Sequence, residues 1–317
     1  MHAPQASDVT RARERIGAAL PPTPLVRLDH DGPAEIWLKL ENLQPIGSFK
    51  VRGSGNALLS ANPATLEQGA YTASAGNMAQ GVAWWGRRLG IAATAIVPEH
   101  APTAKTSAVE RLGGRVERVP FDRWWRMLSG EEPPQNPGLF VHPVADPAVI
   151  AGNGTLGLEL VEDLPRIDTV LVPWGGGGLS CGIATALREL APDARVIGCE
   201  AETATPLTTS LAAGKPMTVT HTPSFVDGIG GKSLLEAMWP LAQALIKGSA
   251  VVTLDQIRSA IRLLAARHRV IAEGAGAASV AAAMTGHAKG VTVCVVSGGN
   301  IDPPVLGEIL QGGEPTN

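Results

Sequence analysis

No run of lysine and arginine lies anywhere along this chain. With 26 Lys and Arg against 29 Asp and Glu the net charge is −3, so there is no basic field to hold a nucleic acid. Cysteine is scarce: Cys181, Cys199 and Cys294 are odd in number, widely spaced and set among apolar residues. They read as buried thiols of a reducing compartment, without the paired Cys/His spacing of a metal site. No segment approaches the roughly 20 apolar residues of a membrane span. The opening MHAPQASDVTRARERIG lacks the apolar centre of a signal peptide. The expectation is a cytoplasmic protein without membrane or nucleic-acid partners, in which the sequon at Asn153 has no glycosylation role.

What the chain does have is alternation. Across 317 residues, enough for one large α/β domain or two smaller ones, short apolar runs alternate with longer helical patterns, as in βαβ units around a mainly parallel sheet. Strands are expected at 35–40, 92–97, 115–119, 168–174, 194–200 and 291–296. Val9, Ala12, Ile16 and Leu20 recur at helical spacing, as do Met78, Val82, Trp85 and Leu89. TLDQ at 253–256 reads as a capping box opening a helix that runs towards His268. The proline-rich 130–138 reads as a loop or domain edge. Residues 67–143 form a set of strands and helices of their own, expected as an insertion that packs over the site.

Several glycine-rich turns interrupt this pattern. VPWGGGGLSCG (172–182) is a strand, four glycines and a helix start. Consecutive N–H groups and the helix terminus there suit a phosphate, whereas an ordinary tight turn would not need four residues that each cost up to ~1 kcal/mol of backbone entropy. The spacing is neither a Walker loop nor G-x-G-x-x-G. TASAGNMAQG (72–81) is a second strand-to-helix loop, whose backbone could receive a carboxylate. A plain cap at Asn77 would look the same. VSGGNID (296–302) puts Ser297 at the carboxyl end of a strand, with a helix start at Asp302 before two prolines. AEGAGAAS (272–279) brings Glu273 to another glycine-rich helix start, and close packing would explain it equally. QPIGSFKVRG (44–53) sets Lys50 between Phe49 and Val51, where a lysine either snorkels or is held as a reactive amine.

In sequence and order, SFKVRG, SAGNMAQG, PTAKTSAVERLGG, HPVADPAVIAGNGTLGLEL, GGGGL, FVDGIGG, EGAGAAS and SGGN resemble the threonine/serine dehydratase and serine racemase group. These are fold type II pyridoxal phosphate (PLP) enzymes of the tryptophan synthase beta-like superfamily. The resemblance covers nearly the whole chain. It implies two open, mainly parallel α/β sheet domains with the cofactor between them, a large PLP-binding domain at 1–66 and 144–317, and a small mobile one at 67–143. It also implies that Lys50 is the Schiff-base lysine and the base that removes the Cα proton. Gly175, Gly176, Gly177 and Gly178 become the phosphate cradle, Asn77 the partner of the cofactor's phenolic oxygen and Ser297 that of its pyridine nitrogen. Phe49, Gly228 and Glu273 join the cofactor-binding set, while Ser74, Ala75, Gly76, Asn77 and Met78 surround the substrate. A hydroxyl facing the pyridine nitrogen makes a weaker electron sink than a carboxylate would. This favours elimination of the β-hydroxyl of an amino acid, yielding a 2-oxo acid and ammonia. A homodimer is a further implication.

The chain also departs from the group. Met78 stands where relatives usually carry histidine, which points to weaker action on threonine or a preference for a bulkier substrate such as 3-phenylserine. Ala75 occupies the position of the racemases' serine, so racemisation is expected to be minor. Glu200 matches the first ligand of metal-dependent members, but Pro206 replaces a later aspartate, which leaves Glu200 a weak metal candidate, with Glu202 as a substitute. Asn153 stands where glutamine is frequent, a change with no reading from sequence. With the sequence ending at Asn317, a C-terminal regulatory domain is not expected. Other PLP eliminations or replacements remain open, as does a PLP-binding protein without catalysis. A dinucleotide oxidoreductase would use the glycines with Glu200 as the ribose acid, but leaves Lys50 and Ser297 unexplained.

Overall fold

The computed structural model describes residues 2–101, 103–132 and 136–313. Residues 133–135, the middle of the expected 130–138 loop, lie outside the described residues. The first elements are α1 (Ala6–Ile16), β1 (Leu25–Arg27), β2 (Ile36–Leu40), α2 (Lys50–Leu59), α3 (Pro63–Leu66), β3 (Ala70–Ala73) and α4 (Asn77–Leu89). There follow β4 (Ala93–Pro98), α5 (Thr103–Arg111), β5 (Arg115–Val119), α6 (Phe121–Ser129), β6 (Leu139–Phe140), α7 (Pro147–Asp163), β7 (Thr169–Pro173) and α8 (Gly178–Leu190). The last are β8 (Arg195–Ala201), α9 (Pro206–Ala213), α10 (Trp239–Leu245), β9 (Ser249–Val252), α11 (Leu254–Leu263), α12 (Gly274–Ala282), β10 (Thr292–Val296) and α13 (Pro303–Leu310).

The chain divides into two units, one drawn from residues 1–21 and 50–153, the other from 22–49 and 154–317. In the larger, the sheet order is β1-β2-β10-β7-β8-β9, with β1 antiparallel to β2 and the remaining pairs parallel. Its central strands β7 and β10 are buried along their whole length, so they read as unbroken apolar runs, as strands covered on both faces do. Alanine-rich α12 packs against this sheet and is buried on every residue. Thr253 and Gln256 form the expected capping box at α11.

In the smaller unit β5-β4-β3-β6 form a parallel sheet. The sequence reading placed its edges at 67 and 143, whereas the contacts also gather 1–21, 50–66 and 144–153 into it. The reason is a close α2–α4 packing built on small residues. A Cβ at Gly81 would stand 2.5 Å from Ser54 Oγ and 3.2 Å from the Lys50 carbonyl oxygen. The buried Trp85 donates its indole N–H to Val51 O at 2.8 Å. Val9, Ala12 and Ile16 bury the inner face of α1, and Arg15 donates to Asn56 Oδ1 at 3.1 Å.

Candidate active site

Most of the expected cofactor positions gather at one edge of the larger unit's sheet. β7 and β10 are parallel neighbours, with Cys294 opposite Leu171, so the glycine loop after β7 and the Ser297 loop after β10 leave the sheet side by side. Strand order reverses there, with β10 on one side of β7 and β8 on the other, which is where open α/β sheets bind ligands. Gly177, at φ 92°, is the N-cap of α8 and no side chain caps that terminus. A Cβ at Gly177 would lie 2.5 Å from the ring of buried Trp174, so a left-handed backbone and a close approach both require glycine. Ser180, in the first turn of α8, is 0% exposed, and its hydroxyl has no hydrogen-bond partner. A helix N-terminus without a side-chain cap, with a buried unpartnered donor in its first turn, fits a phosphate.

The remaining positions of this unit join the same edge. A Cβ at Gly175 would lie 3.3 Å from Gly228 O, and one at Gly228 would lie 3.3 Å from Glu273 Oε1. One at Gly298 would come within 2.7 Å of the same Glu273 oxygen, so the carboxylate lies between the two glycines. Glu273 is the N-cap residue of α12, is 6% exposed, and donates its N–H to Gly298 O at 3.1 Å. Ser297 is buried, and its carbonyl accepts the Phe49 N–H at 3.0 Å. Ser48 bridges to Gly298, and Asn300 Nδ2 donates to Ile46 O at 2.8 Å. The segment leading into Lys50 is thereby fastened to the Ser297 loop.

The smaller unit carries the rest. β3 and β6 are parallel neighbours, with Tyr71 opposite Phe140, and strand order reverses between them. The Ser74–Gly76 loop and the segment 141–146 therefore leave this sheet side by side at its own switch point. Gly76, not Asn77, is the N-cap of α4. Ser74 Oγ accepts the Gly76 N–H at 3.2 Å, and a Cβ at Gly76 would meet nothing within 4 Å, which leaves open space in front of the helix. Ala75 is partly buried in the same loop. Met78 is 1% exposed and shares a helical stripe with Gly81 and Trp85, the face of α4 that meets α2.

Lys50 is half-buried and donates from Nζ to Pro143 O at 2.7 Å. That loop is ordered by His142, whose Nδ1 accepts the N–H groups of Val144 at 3.0 Å and Ala145 at 2.8 Å, leaving Nε2 to donate to Leu128 O at 3.0 Å. Burial holds the imidazole below its ordinary pKa, and the charge of Lys50 adds to the effect. Asp146 Oδ1 accepts from Ala148 N and Val149 N, capping α7, and burial raises its pKa. The sequence reading used HPVADP as part of the family motif and as the edge of 67–143, without a role for His142 or Pro143. A histidine next to proline, four residues before an aspartate cap, was the signal available. Ser180 was missed as well, because only its burial distinguishes it.

Glu200 does different work from the metal ligand considered above. Its carboxylate accepts from Leu207 N, Thr208 N and Thr208 Oγ1 at 2.6–2.9 Å, so it serves the first turn of α9, and burial raises its pKa. Glu202 Oε1 accepts from Leu254 N at 2.8 Å. Among the described residues no three His, Cys, Asp or Glu side chains gather as a metal site. The three cysteines are buried, and desolvation raises each thiol's pKa, that of Cys181 to about 12, which disfavours a thiolate nucleophile.

Comparison with known proteins agrees with this geometry. The family described as pyridoxal-phosphate dependent enzyme matches residues 16–298. An L-threonine ammonia-lyase of Thermotoga maritima is 40% identical over 88% of this chain and 70% of its own length. The catabolic L-threonine dehydratase TdcB of Escherichia coli is 35% identical over 93% of this chain and 92% of its own. Among solved structures, maize serine racemase superposes with a TM-score of 0.89 at 29% identity, over 98% of both chains. The processed threonine deaminase isoform 2 of Solanum lycopersicum gives a TM-score of 0.85 at 31% identity, over 98% of this chain and 94% of its own. The chain belongs to the pyridoxal-phosphate dependent enzyme family, with two mainly parallel α/β sheets of the fold type II kind.

Proposed function

We propose that the chain is a PLP-dependent ammonia-lyase that eliminates the β-hydroxyl of an amino acid, serine, threonine or a bulkier analogue, to give a 2-oxo acid and ammonia. The observation that carries the reading is the Lys50 amine, held at the carboxyl edge of the smaller sheet, in a chain 35–40% identical to threonine ammonia-lyases and dehydratases. When bound, the cofactor supplies the sink for the electron pair left as Cα loses its proton. Lys50 would hold the cofactor covalently and, once the substrate amine has displaced it, its freed amine would take that proton. Gly175–Gly178 and the α8 terminus bind the phosphate, the Ser180 hydroxyl adding a donor. Asn77 would serve the cofactor's phenolic oxygen and Ser297 its pyridine nitrogen, and Phe49, Gly228 and Glu273 would complete the cofactor's surroundings. Ser74, Ala75, Gly76 and the start of α4 receive the substrate carboxylate, whose charge the helix terminus favours. The Cα proton and the β-hydroxyl would together be lost as one water, and the released enamine would take up a water as it hydrolyses in solution to the 2-oxo acid and ammonia.

Ala75 offers no hydroxyl to return a proton to the opposite face of Cα, so racemisation is a minor activity. The protein acts in the cytoplasm as a homodimer, without a divalent cation at Glu200. Borohydride treatment of the purified protein tests the core of this reading. The expected result is loss of the visible absorption band and a pyridoxyl mass on the Lys50 peptide, with Lys50→Ala releasing ammonia from threonine and serine at least about 10³-fold more slowly. A protein that stays colourless after PLP is added overturns the reading.

A further inference from the structure

We propose that His142 is a positioning residue for Lys50: by folding residues 142–145 around its imidazole, it fixes the Pro143 carbonyl as the acceptor that orients the Lys50 amine. The inference rests on the reading of Lys50 as the cofactor lysine.

The argument begins with backbone groups that need partners. β6 ends at Phe140, and the last N–H to reach the neighbouring strand is that of Val141, bonded to Tyr71 O at 2.8 Å. Pro143 has no N–H to give. Val144 and Ala145 turn theirs onto one atom, His142 Nδ1, at 3.0 and 2.8 Å. A nitrogen that accepts two N–H groups carries no proton, so the proton sits on Nε2, which donates to Leu128 O in the last turn of α6 at 3.0 Å. One ring therefore ties the strand end, the turn and α6 together. Asp146 fastens the other end of the turn to α7 through Ala148 N and Val149 N.

The group this turn presents is the Pro143 carbonyl, which meets Lys50 Nζ at 2.7 Å. With one N–H committed to a fixed acceptor, the lone pair of the neutral amine is turned away from the turn. A carbonyl acceptor also favours the ammonium over the amine. The charged group that acts on the imidazole is Lys50 on α2, which disfavours a second proton on the ring; Asp146, four residues on, is turned to Ala148 N and Val149 N.

The test is the rate of reductive methylation at Lys50 against pH, followed by peptide mass in the full chain freed of PLP, with Lys247 and Lys289 as internal standards. His142→Phe removes the acceptor. His142→Asn restores one, because its side-chain oxygen can take the same two N–H groups in an Asx turn. The expected result is that half-maximal labelling in His142→Phe moves about one pH unit lower, equivalent to about tenfold faster labelling at a fixed pH below the midpoint, and returns to the wild-type position in His142→Asn. Mere opening of the turn would raise the rate at every pH without lowering the midpoint. A His142→Phe profile that overlays wild type overturns the proposal, as does a folded His142→Asn chain whose midpoint has moved, so the asparagine variant decides even where phenylalanine prevents folding. A pyridoxyl mass on some residue other than Lys50 would overturn the cofactor reading instead, while leaving the methylation profile intact.

Discussion

Met78 places a thioether, almost wholly buried, in the first turn of α4, directly after the Ser74–Gly76 loop. A thioether is soft and apolar and donates no hydrogen bond, so on the proposed reading, in which the start of α4 borders the substrate, it would complement a bulky apolar substituent better than a hydroxyl. Met78→His supplies a donor at the same point. The expected outcome is a rise of about tenfold in kcat/KM for threonine relative to 3-phenylserine, within the 1–3 kcal/mol that one pocket contact carries, with a melting temperature lowered by a few degrees because a polar ring enters a packed stripe. Parallel kinetics on the two substrates check it, and an unchanged ratio would overturn it. Residue identity was legible here without tertiary information, since SAGNM differs by one letter from the group's pattern. The burial of the side chain against the α2-facing stripe was not, because it depends on Gly81 and Trp85 packing on another helix.

At the scale of elements, the turn from β6 to α7 has a stability that follows the proton on His142. Its folded-state pKa lies below the ordinary 6.5, chiefly through burial. Such a group contributes stability that is fully present above the unfolded-state value and lost as pH falls through the lowered folded-state value. His142→Asn, which does not titrate, should therefore flatten the loss of stability below about pH 6.5. Denaturant unfolding of both proteins from pH 7.5 to 5 measures this, and equal slopes would refute it. Elements of strong pattern were readable in advance: the runs at 35–40, 115–119 and 291–296 fall almost residue for residue on β2, β5 and β10. β1 and β6, with three and two residues, went unread because so short a strand carries no period. β3 was implied only by the strand-to-helix loop after it and was given no bounds, because AYTA has little apolar bulk; its burial comes from α4 and α6.

At the scale of the molecule, cofactor binding should appear as thermal stability. A ligand at 100 times its dissociation constant stabilises the folded state by about 2.7 kcal/mol, which for a chain of this size raises the melting temperature by about 4 °C. Gly177→Val should lose most of that increment, because its φ of 92° and the 2.5 Å approach to Trp174 leave no room for a side chain. Scanning calorimetry with and without PLP, on both proteins, makes the comparison; an equal increment in the variant would remove the glycine loop from the site.

The sequence by itself determined the parallel α/β class and the glycine turns between strands and helices, because hydrophobic period and glycine clustering are local properties of the chain. Only the tertiary structure decided that Glu200 accepts from the first turn of α9, that Glu273 lies between Gly228 and Gly298, that α2 packs on α4 in the smaller unit, and that His142 folds the turn whose Pro143 carbonyl meets Lys50. Each of these depends on where backbone N–H and C=O groups or missing side chains meet, and no pattern of side-chain types along the chain records that.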